Sequence, residues 1–426
     1  MRKLIVILCL MICYLFSNYL LCQNSWIQKK DFPGEKRCAG VGFAIGDKGY
    51  VALGMGDNGT PYYKDLWEYS PANDSWTKKS DYPGYFRRHA SCFVIGNKAY
   101  VGLGFDGLGY KDDFWEYNPE TDNWTSIANF PSVARDGCVS FSIGNKGYIC
   151  TGYRGGDRYK DLWEYDPARN SWTRKADFPG EVRNCAAAFA VDGKAFVGCG
   201  GAVDYTLKDF WMYNPDTDFW SRIPDFPGTG HLSPATFTFG SIGFIFGGSS
   251  ITSHSNELWA FNYRLETWTQ LKTEGISSRA LTSNFVIGNK AYIGLGSDGP
   301  LTKKDFWEYS LKIIILYNVQ KQYCQNSSVS IPFAALGSYN SGNIFTLQLS
   351  NSAGKFDMPQ TIGSLTGTVS DTIEGELPVN LYGSGFRIRI VSSDPPDTSN
   401  DNGNDINIYR LPMPEIAGKT AACSGD

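Results

Sequence analysis

The sequence predicts an all-β fold made of short, repeated strands, and three observations support this prediction. Aromatic residues and glycine are abundant in the 426-residue chain, with 12 Trp, 25 Tyr, 26 Phe and 47 Gly, as short strands and tight turns require. Strand-like apolar runs recur through most of the chain. A tryptophan-containing motif repeats every 48 residues. The repeat decides the architecture, because a fixed period of roughly 20 to 50 residues is typical of stacked repeat units.

Each repeat unit carries an Asp-x-Trp-x-Tyr motif or a close variant of it, preceded by a run such as Gly-x-Lys-x-Tyr. A second Trp follows nine residues after the first in five of the units. We predict four strands per unit, named A to D outward from the axis: the lysine run marks strand B, the motif strand C and the second Trp strand D. One unit cannot bury its faces alone, so six units predict a six-bladed β-propeller. The motif begins at Asp65, Asp113, Asp161, Asp209, Glu257 and Asp305.

The N-terminal segment is predicted to complete the sixth blade. No strand D follows the sixth motif, which ends at Tyr309, whereas Trp26 stands in a Ser-Trp-Ile run near the N-terminus. Trp26 precedes Arg37 by 11 residues, the spacing that also separates Trp76 from Arg87. Residues 23–310 are therefore predicted to form a propeller that its own N-terminal strand closes.

The repeat resembles that of the kelch family, whose period is about 50 residues. The order of Gly, Tyr and Trp matches over residues 24–310, although only Gly247-Gly248 shows the paired glycines usual at the end of strand B. The style of the repeat is similar to that of secreted kelch proteins of Bacteroidetes-type bacteria. The resemblance implies a propeller that binds a partner.

The N-terminus predicts export to the periplasm, the cell surface or the medium. Arg2 and Lys3 precede a short apolar stretch, which is typical of a signal peptide, here predicted over residues 1–22. Lipid anchoring through Cys22 is an alternative, although the residue before such a cysteine is normally small. No apolar run of about 20 residues follows, so no later transmembrane helix is predicted.

The C-terminal part predicts a second domain. Residues 311–323 are predicted to be a connector or a strand. Residues 324–411 hold alternating runs separated by turn residues, which predict a β-sandwich that resembles the immunoglobulin-like modules of bacterial surface proteins. Residues 412–426 are predicted to be a linker and the possible start of a further module, because Cys423-Ser-Gly echoes Cys324-Gln-Asn.

The net charge and the small number of histidines exclude several classes of partner and cofactor. The net charge is −4 and no run of Lys or Arg occurs, which argues against nucleic acid as a partner. No metal or cofactor is expected, because the chain has only three histidines and no zinc spacing. Galactose oxidases, which are also kelch propellers, need two His and two Tyr for copper, and only His231 falls at the rim by repeat phase.

A basic residue at an equivalent position in all six units is the main candidate for ligand binding. We expect it at the start of strand A, where six such side chains would gather at one end of the channel and attract carboxylate or phosphate. In some kelch proteins, arginines at matching positions contact acidic peptides. The alternative is structural: these side chains bond loop carbonyls or a nearby Asp or Glu. The six residues are Arg37, Arg87, Arg135, Arg183, His231 and Arg279.

The loops between strands B and C lie at the same end and differ among the units, as binding loops on a rigid frame do. Their aromatic and basic side chains could stack on a sugar or anchor a peptide, or else cover blade edges. The candidates are Tyr63, Tyr110, Tyr159, Tyr205, Arg154 and Arg158. The sequence thus predicts an exported binding protein for a protein or glycan, and the basic residues would suit an acidic one. A sugar-processing enzyme of the sialic-acid mutarotase type and a structural spacer of an adhesin are the alternatives.

Overall fold

The computed structural model describes residues 26–229, 231–271, 273–310, 313–315, 319–337, 339–399 and 401–410. Their regular elements are strands, apart from one 3-10 turn at Asp57–Gly59. The predicted signal peptide and the linker over residues 412–426 lie outside the described residues. Within the described ranges, no helix has the length and apolarity to cross a membrane. Trp26–Ser310 form one compact unit, and the described residues from 313 to 410 belong to a second.

The first unit consists of six four-stranded antiparallel sheets, which confirms the six-bladed propeller. Each sheet has the predicted order A-B-C-D. Blades one and two are β2–β5 (Val41–Ile45, Lys48–Ala52, Leu66–Ser70, Ser75–Lys79) and β6–β9 (Ser91–Ile95, Lys98–Gly102, Phe114–Asn118, Asn123–Ile127). Blades three and four are β10, β11, β14 and β15 (Val139–Ile143, Lys146–Cys150, Leu162–Asp166, Ser171–Lys175) and β16–β19 (Ala187–Val191, Lys194–Gly198, Phe210–Asn214, Phe219–Ile223). Blades five and six are β20–β23 (Ala235–Phe239, Ile242–Phe246, Leu258–Asn262, Thr267–Leu271) and β24–β26 with β1 (Ser283–Ile287, Lys290–Gly294, Phe306–Ser310, Trp26–Lys29). In the third blade, β12 (Tyr153–Arg154) and β13 (Asp157–Arg158) form a small hairpin within the B–C loop.

The predicted closure of the ring is confirmed. Strand β1 pairs with β26 in antiparallel register, with Trp26 opposite Tyr309. The Trp26 side chain is buried, and its ring centroid lies 4.8 Å from those of Tyr309 and Phe246. The N-terminal strand therefore joins the two ends of the propeller through both main-chain bonds and aromatic packing.

Aromatic side chains hold neighbouring blades together. Tyr69 of strand C contacts Tyr292 and Phe306 of the adjacent blade at centroid distances of 5.4 and 4.9 Å. The fit is tight enough to require glycine at one position, because a Cβ atom on Gly49 would lie 2.0 Å from the Phe285 ring. Buried rings that interdigitate in this way supply much of the apolar burial that stabilises a repeat architecture.

The second unit is a β-sandwich. One sheet has the order β27-β29-β32-β31-β30-β34-β35 and the other β28-β36-β33, and both contribute to one apolar core. The strands are β27 Ile313–Ile315, β28 Gln322–Cys324, β29 Ser328–Ala335, β30 Ile344–Leu349, β31 Gln360–Thr366, β32 Asp371–Glu376, β33 Gly383–Phe386, β34 Ile388–Ser393, β35 Pro396–Thr398 and β36 Ile406–Tyr409. The predicted connector thus holds a strand and the start of another. The immunoglobulin-like assignment stays a prediction.

Candidate functional site

All loops that enter strand A and all B–C loops lie at one end of the propeller, which we call the mouth. This follows from the antiparallel order, since strand A starts where strands B and D end. Bridges between the two kinds of loop confirm the proximity, as between Cys38 and Met55 or Arg88 and Phe105. The candidate residues from the sequence therefore do lie at the mouth end.

The five arginines of the repeated position are nevertheless buried beneath the mouth surface, at 0–1% exposure. Each bonds the acidic residue that opens strand C of its own blade. Arg135 Nη2 donates to Asp161 Oδ2 at 3.0 Å, Arg135 Nη1 donates to the Thr151 carbonyl at 3.1 Å, and Arg135 Nε donates to the Val133 carbonyl at 2.8 Å. The same pattern joins Arg37 to Asp65, Arg87 to Asp113, Arg183 to Asp209 and Arg279 to Asp305. We call these five residues the framework arginines.

The pKa of the aspartate in each pair shows whether burial or the interaction with arginine dominates. Burial by itself raises the pKa of Asp161, but the hydrogen bonds and charge of Arg135, with a bond from Trp163, hold that pKa below its usual value. The carboxylate is thus ionised, and its negative charge balances the positive charge of the guanidinium group. Because its donors are committed inside the blade, a framework arginine offers a ligand little. These contacts are those of the structural alternative, and they correct the expectation that the arginines face a ligand.

The sixth member, His231, is also buried, at 1% exposure. Its Nε2 atom lies 3.5 Å from Glu257 Oε2, and its ring packs on Phe226 at a centroid distance of 5.3 Å. Blade five therefore has different residues at both positions of the pair. His231, which is shorter than arginine, faces Glu257, which is longer than aspartate. Burial lowers the pKa of His231 although Glu257 raises it, so the imidazole is neutral at pH 7.

The loop candidates divide into two groups. Tyr63 and Tyr159 pack on framework guanidinium groups at 4.0 Å and so support the frame. Tyr110 packs against other loop aromatics, at 5.0 Å from Phe105, and Arg154 is exposed. Arg158 and Tyr205, in contrast, line a cavity at the mouth.

This mouth cavity has a volume of about 510 Å³. Its polar wall comes from His89, Asn184 and Arg158, whose Nε donates to Asn184 Oδ1 at 3.1 Å. Its apolar side comes from Leu232 and Leu281, with the exposed Val203, Tyr205 and Ile251 at its outer edge. The cavity can therefore hold a ligand with one polar and one apolar side.

The floor of the mouth is a closed ring of six main-chain hydrogen bonds. Each donor is the residue two positions after the repeated basic residue, and each acceptor is the equivalent residue of the neighbouring blade. All six have a left-handed backbone, with φ between 50° and 60°. The ring runs through Ala39, His89, Gly137, Cys185, Ser233 and Leu281, with N···O distances of 2.8 to 3.4 Å. The ring fixes the position of these side chains around the axis.

Below the ring, the channel is lined by strand A of every blade and has a volume of about 470 Å³. Its wall carries Gly, Ala, Ser, Thr, Cys and Val beside larger residues, and several polar groups bond the adjacent strand. Ser140 Oγ, for example, donates to the Cys92 carbonyl at 2.7 Å. The mouth, with its ionisable and unpaired groups, is therefore the better candidate site.

Three ionisable side chains meet beside the mouth cavity, and we call them the polar cluster: Arg88, His89 and Asp136. Asp136 Oδ2 lies 3.8 Å from His89 Nδ1 and 4.0 Å from Arg88 Nε. Both distances exceed a hydrogen bond. Among the residues that the structure describes, Arg88 Nε and His89 Nε2 are buried without a hydrogen-bond partner, and Asp136 is only 4% exposed. The cluster holds a charge and donors that the protein leaves unsatisfied.

Burial sets the protonation of this cluster. It raises the pKa of Asp136 to about 6, with Arg88 opposing the shift, and it lowers the pKa of His89 to about 4, an effect to which Arg88 adds. At pH 7.5 the aspartate is therefore ionised and the imidazole neutral. A buried carboxylate without hydrogen bonds costs folding free energy, and such groups concentrate at functional sites.

The sequence reasoning missed the residues next to the repeated basic position. One position further on, the six units carry Cys38, Arg88, Asp136, Asn184, Leu232 and Ala280. Their variation within an otherwise regular repeat was the signal that could have marked them, because binding residues differ where framework residues recur. Polar members come from blades two to four and apolar members from blades five, six and one.

These features define a six-bladed β-propeller with a candidate binding site at the mouth. Residues 44–239 match the profile of the KLHDC2/KLHL20/DRC7 Kelch-repeats domain. Among 176 matching chains of solved structures is "Structure of YjhT", with a TM-score of 0.57 and 18% sequence identity over 66% of this chain and 97% of that chain. At this identity the likeness shows the fold alone. No curated protein sequence matches the chain significantly.

Proposed function

We propose that this chain is an exported binding protein whose ligand, a protein or a glycan, occupies the mouth cavity. The carrying observation is that the cavity combines a polar wall with an apolar one on a rigid frame. Export rests on the N-terminal sequence, and a surface location in a bacterium rests on the resemblance of the repeat. Protein interaction is the role that a kelch-repeat domain suggests.

Exposed apolar side chains are concentrated at the mouth end of the propeller. Of the twelve exposed large apolar residues in the described part of the propeller, nine lie on mouth loops. Single exposed residues need no explanation, but their concentration at one end marks an interaction surface. The nine are Tyr85, Phe86, Leu108, Val133, Val182, Val203, Tyr205, Ile251 and Leu301.

The test is a peptide display library and a glycan array, both probed with the full chain and an Arg158→Ala/Tyr205→Ala variant. We expect ligands that the variant loses. Both residues are at the surface of the loops, so the variant should unfold at the wild-type temperature. A Phe219→Ala variant, on an exposed strand-D position away from the mouth, is the matched control. Ligands that bind the double variant as well as the wild type would place the site elsewhere.

A sugar-processing enzyme of the mutarotase type is the second candidate. The raised pKa of Asp136, about 6, favours it because an acid–base catalyst works best near the ambient pH. The exposed outer edge of the cavity favours binding instead. The rate at which fresh α-N-acetylneuraminic acid equilibrates, followed by NMR, separates the two: an enzyme accelerates it and a binding protein does not.

A further inference from the structure

The polar cluster offers hydrogen-bonding groups that only a particular kind of ligand atom can satisfy. Asp136 presents an acceptor, while Arg88 Nε and a neutral His89 can present donors. The gaps of 3.8 and 4.0 Å keep these groups from bonding one another. A carboxylate or phosphate ligand would satisfy the donors but would meet the Asp136 charge. A hydroxyl group satisfies both, since it donates one hydrogen bond and accepts others.

We propose that Arg88, His89 and Asp136 bind hydroxyl groups of a carbohydrate at the mouth. This inference rests on the proposed function and names the ligand class of that site, which the cluster adjoins through His89 in the cavity wall. One sugar hydroxyl donates to Asp136 and accepts from Arg88 or His89. Two aromatic residues lie next to the cluster: the Arg88 guanidinium lies 5.3 Å from the Phe105 centroid, and the main chain of Asp136 forms a bridge with that of Tyr153.

The folding free energy that is lost by burying the Asp136 carboxylate supports a role of the cluster in binding. Asp136 is nearly fully buried, and within the described residues its carboxylate receives no hydrogen bond, so only the charge of Arg88 offsets its desolvation penalty. A framework carboxylate such as Asp161 receives bonds from Arg135, Trp163 and Ser132. The two aspartates therefore respond oppositely to a neutral isostere. Asp136→Asn removes a charge that Arg88 offsets only in part and should stabilise the propeller, whereas Asp161→Asn breaks an ion pair and should destabilise it.

The experiment measures binding and stability on the same full-length variants. Methyl glycosides of galactose, glucose, mannose and N-acetylglucosamine are titrated at pH 7.5 by saturation-transfer NMR, and unfolding is followed by tryptophan fluorescence. We expect at least one glycoside to bind the wild type. We expect Asp136→Asn to raise its Kd at least tenfold while the melting temperature stays equal or rises. His89→Gln should also weaken binding. Asp47→Asn, on an exposed A–B turn at the other end, is the control and should bind like the wild type.

Three results would overturn the inference. If none of the four glycosides binds at 10 mM, the ligand is not a carbohydrate of this kind, and a peptide selected at the mouth would still support the proposed function. If Asp136→Asn binds as tightly as the wild type, the cluster is outside the site. If Asp136→Asn lowers the melting temperature, Asp136 is a structural residue.

Discussion

Replacing Arg135 by alanine should destabilise the propeller strongly without changing a ligand contact. The side chain is 1% exposed, and its loss leaves Asp161 without its cation and the Val133 and Thr151 carbonyls without their donors. Removing one partner of a buried pair costs about 3–5 kcal/mol. Asp161 keeps the bond from Trp163 at 2.7 Å, so we expect a loss near the lower end, about 3 kcal/mol, or roughly 6–12 °C in Tm.

Guanidinium unfolding followed by tryptophan fluorescence is the suitable assay. All 12 Trp residues lie between Trp26 and Trp307, so the signal reports the propeller and not the sandwich. Arg154→Ala, an exposed arginine of the same blade, is the control and should change the free energy of unfolding by less than about 0.5 kcal/mol.

A double variant separates charge from packing. Arg135→Met/Asp161→Leu removes both charges together, and because replacing a buried pair by apolar residues is often neutral, it should recover the part of the loss that comes from the unpaired charge. The part that comes from the Val133 and Thr151 carbonyls, which still lack their donors, should remain. The opposite outcome is equally clear. If Arg135→Ala unfolds like the wild type and loses ligand, the framework arginines are binding residues and the reasoning from burial fails.

Three further predictions test other parts of the structure. Trp26→Ala should cost about 3–5 kcal/mol, measured by the same unfolding assay against Ile27→Ala on the exposed side of the strand; a loss below about 1 kcal/mol would mean that closure contributes little. Because burial lowers the pKa of His231, the imidazole takes up a proton at a higher pH in the unfolded chain than in the folded one, and stability falls as the pH drops below about 6.5. His231→Gln should show a shallower fall of stability with pH. An unchanged slope would contradict the lowered pKa of His231. Asp136, with its raised pKa of about 6, acts in the opposite sense, since its charge costs stability above pH 6 and the cost disappears as the pH falls towards 4. Asp136→Asn should therefore stabilise by up to about 3 kcal/mol at pH 7.5 and by almost nothing at pH 4, measured by unfolding at both pH values; an equal effect at both would contradict this.

The propeller could be predicted from the sequence because one repeat unit encodes one blade. Two Trp residues, the lysine run and the spacing from Trp26 to Arg37 located strands and closure without any tertiary information. The sandwich was predicted less fully, because short alternating runs do not specify which strands pair. Strand β27 and the pairing of β28 with β36 depend on contacts between distant parts of the chain.

The site could be predicted only in part, and the reason is geometric. Repetition marked the basic position correctly, but a contact that recurs in every blade belongs to the frame. In an extended segment, successive side chains point to opposite sides, so the residue after a buried Arg87 is the one that reaches the mouth. Arg88 and Asp136 lie one residue after the framework arginines, and a sequence carries no measure of burial that distinguishes the two positions.

This one-residue offset separates stability from recognition along the chain. The framework position is almost constant, so five of the six blades keep an Arg–Asp pair and blade five has His231 and Glu257, while the next position varies from arginine to alanine. The six residues at this next position thus need not be alike, and they are divided into a polar half and an apolar half: Arg88, Asp136 and Asn184 against Leu232, Ala280 and Cys38. A ligand with both kinds of surface can bind this mouth in one orientation only, because turning it would place its apolar side on Asp136 and its hydroxyl groups on Leu232.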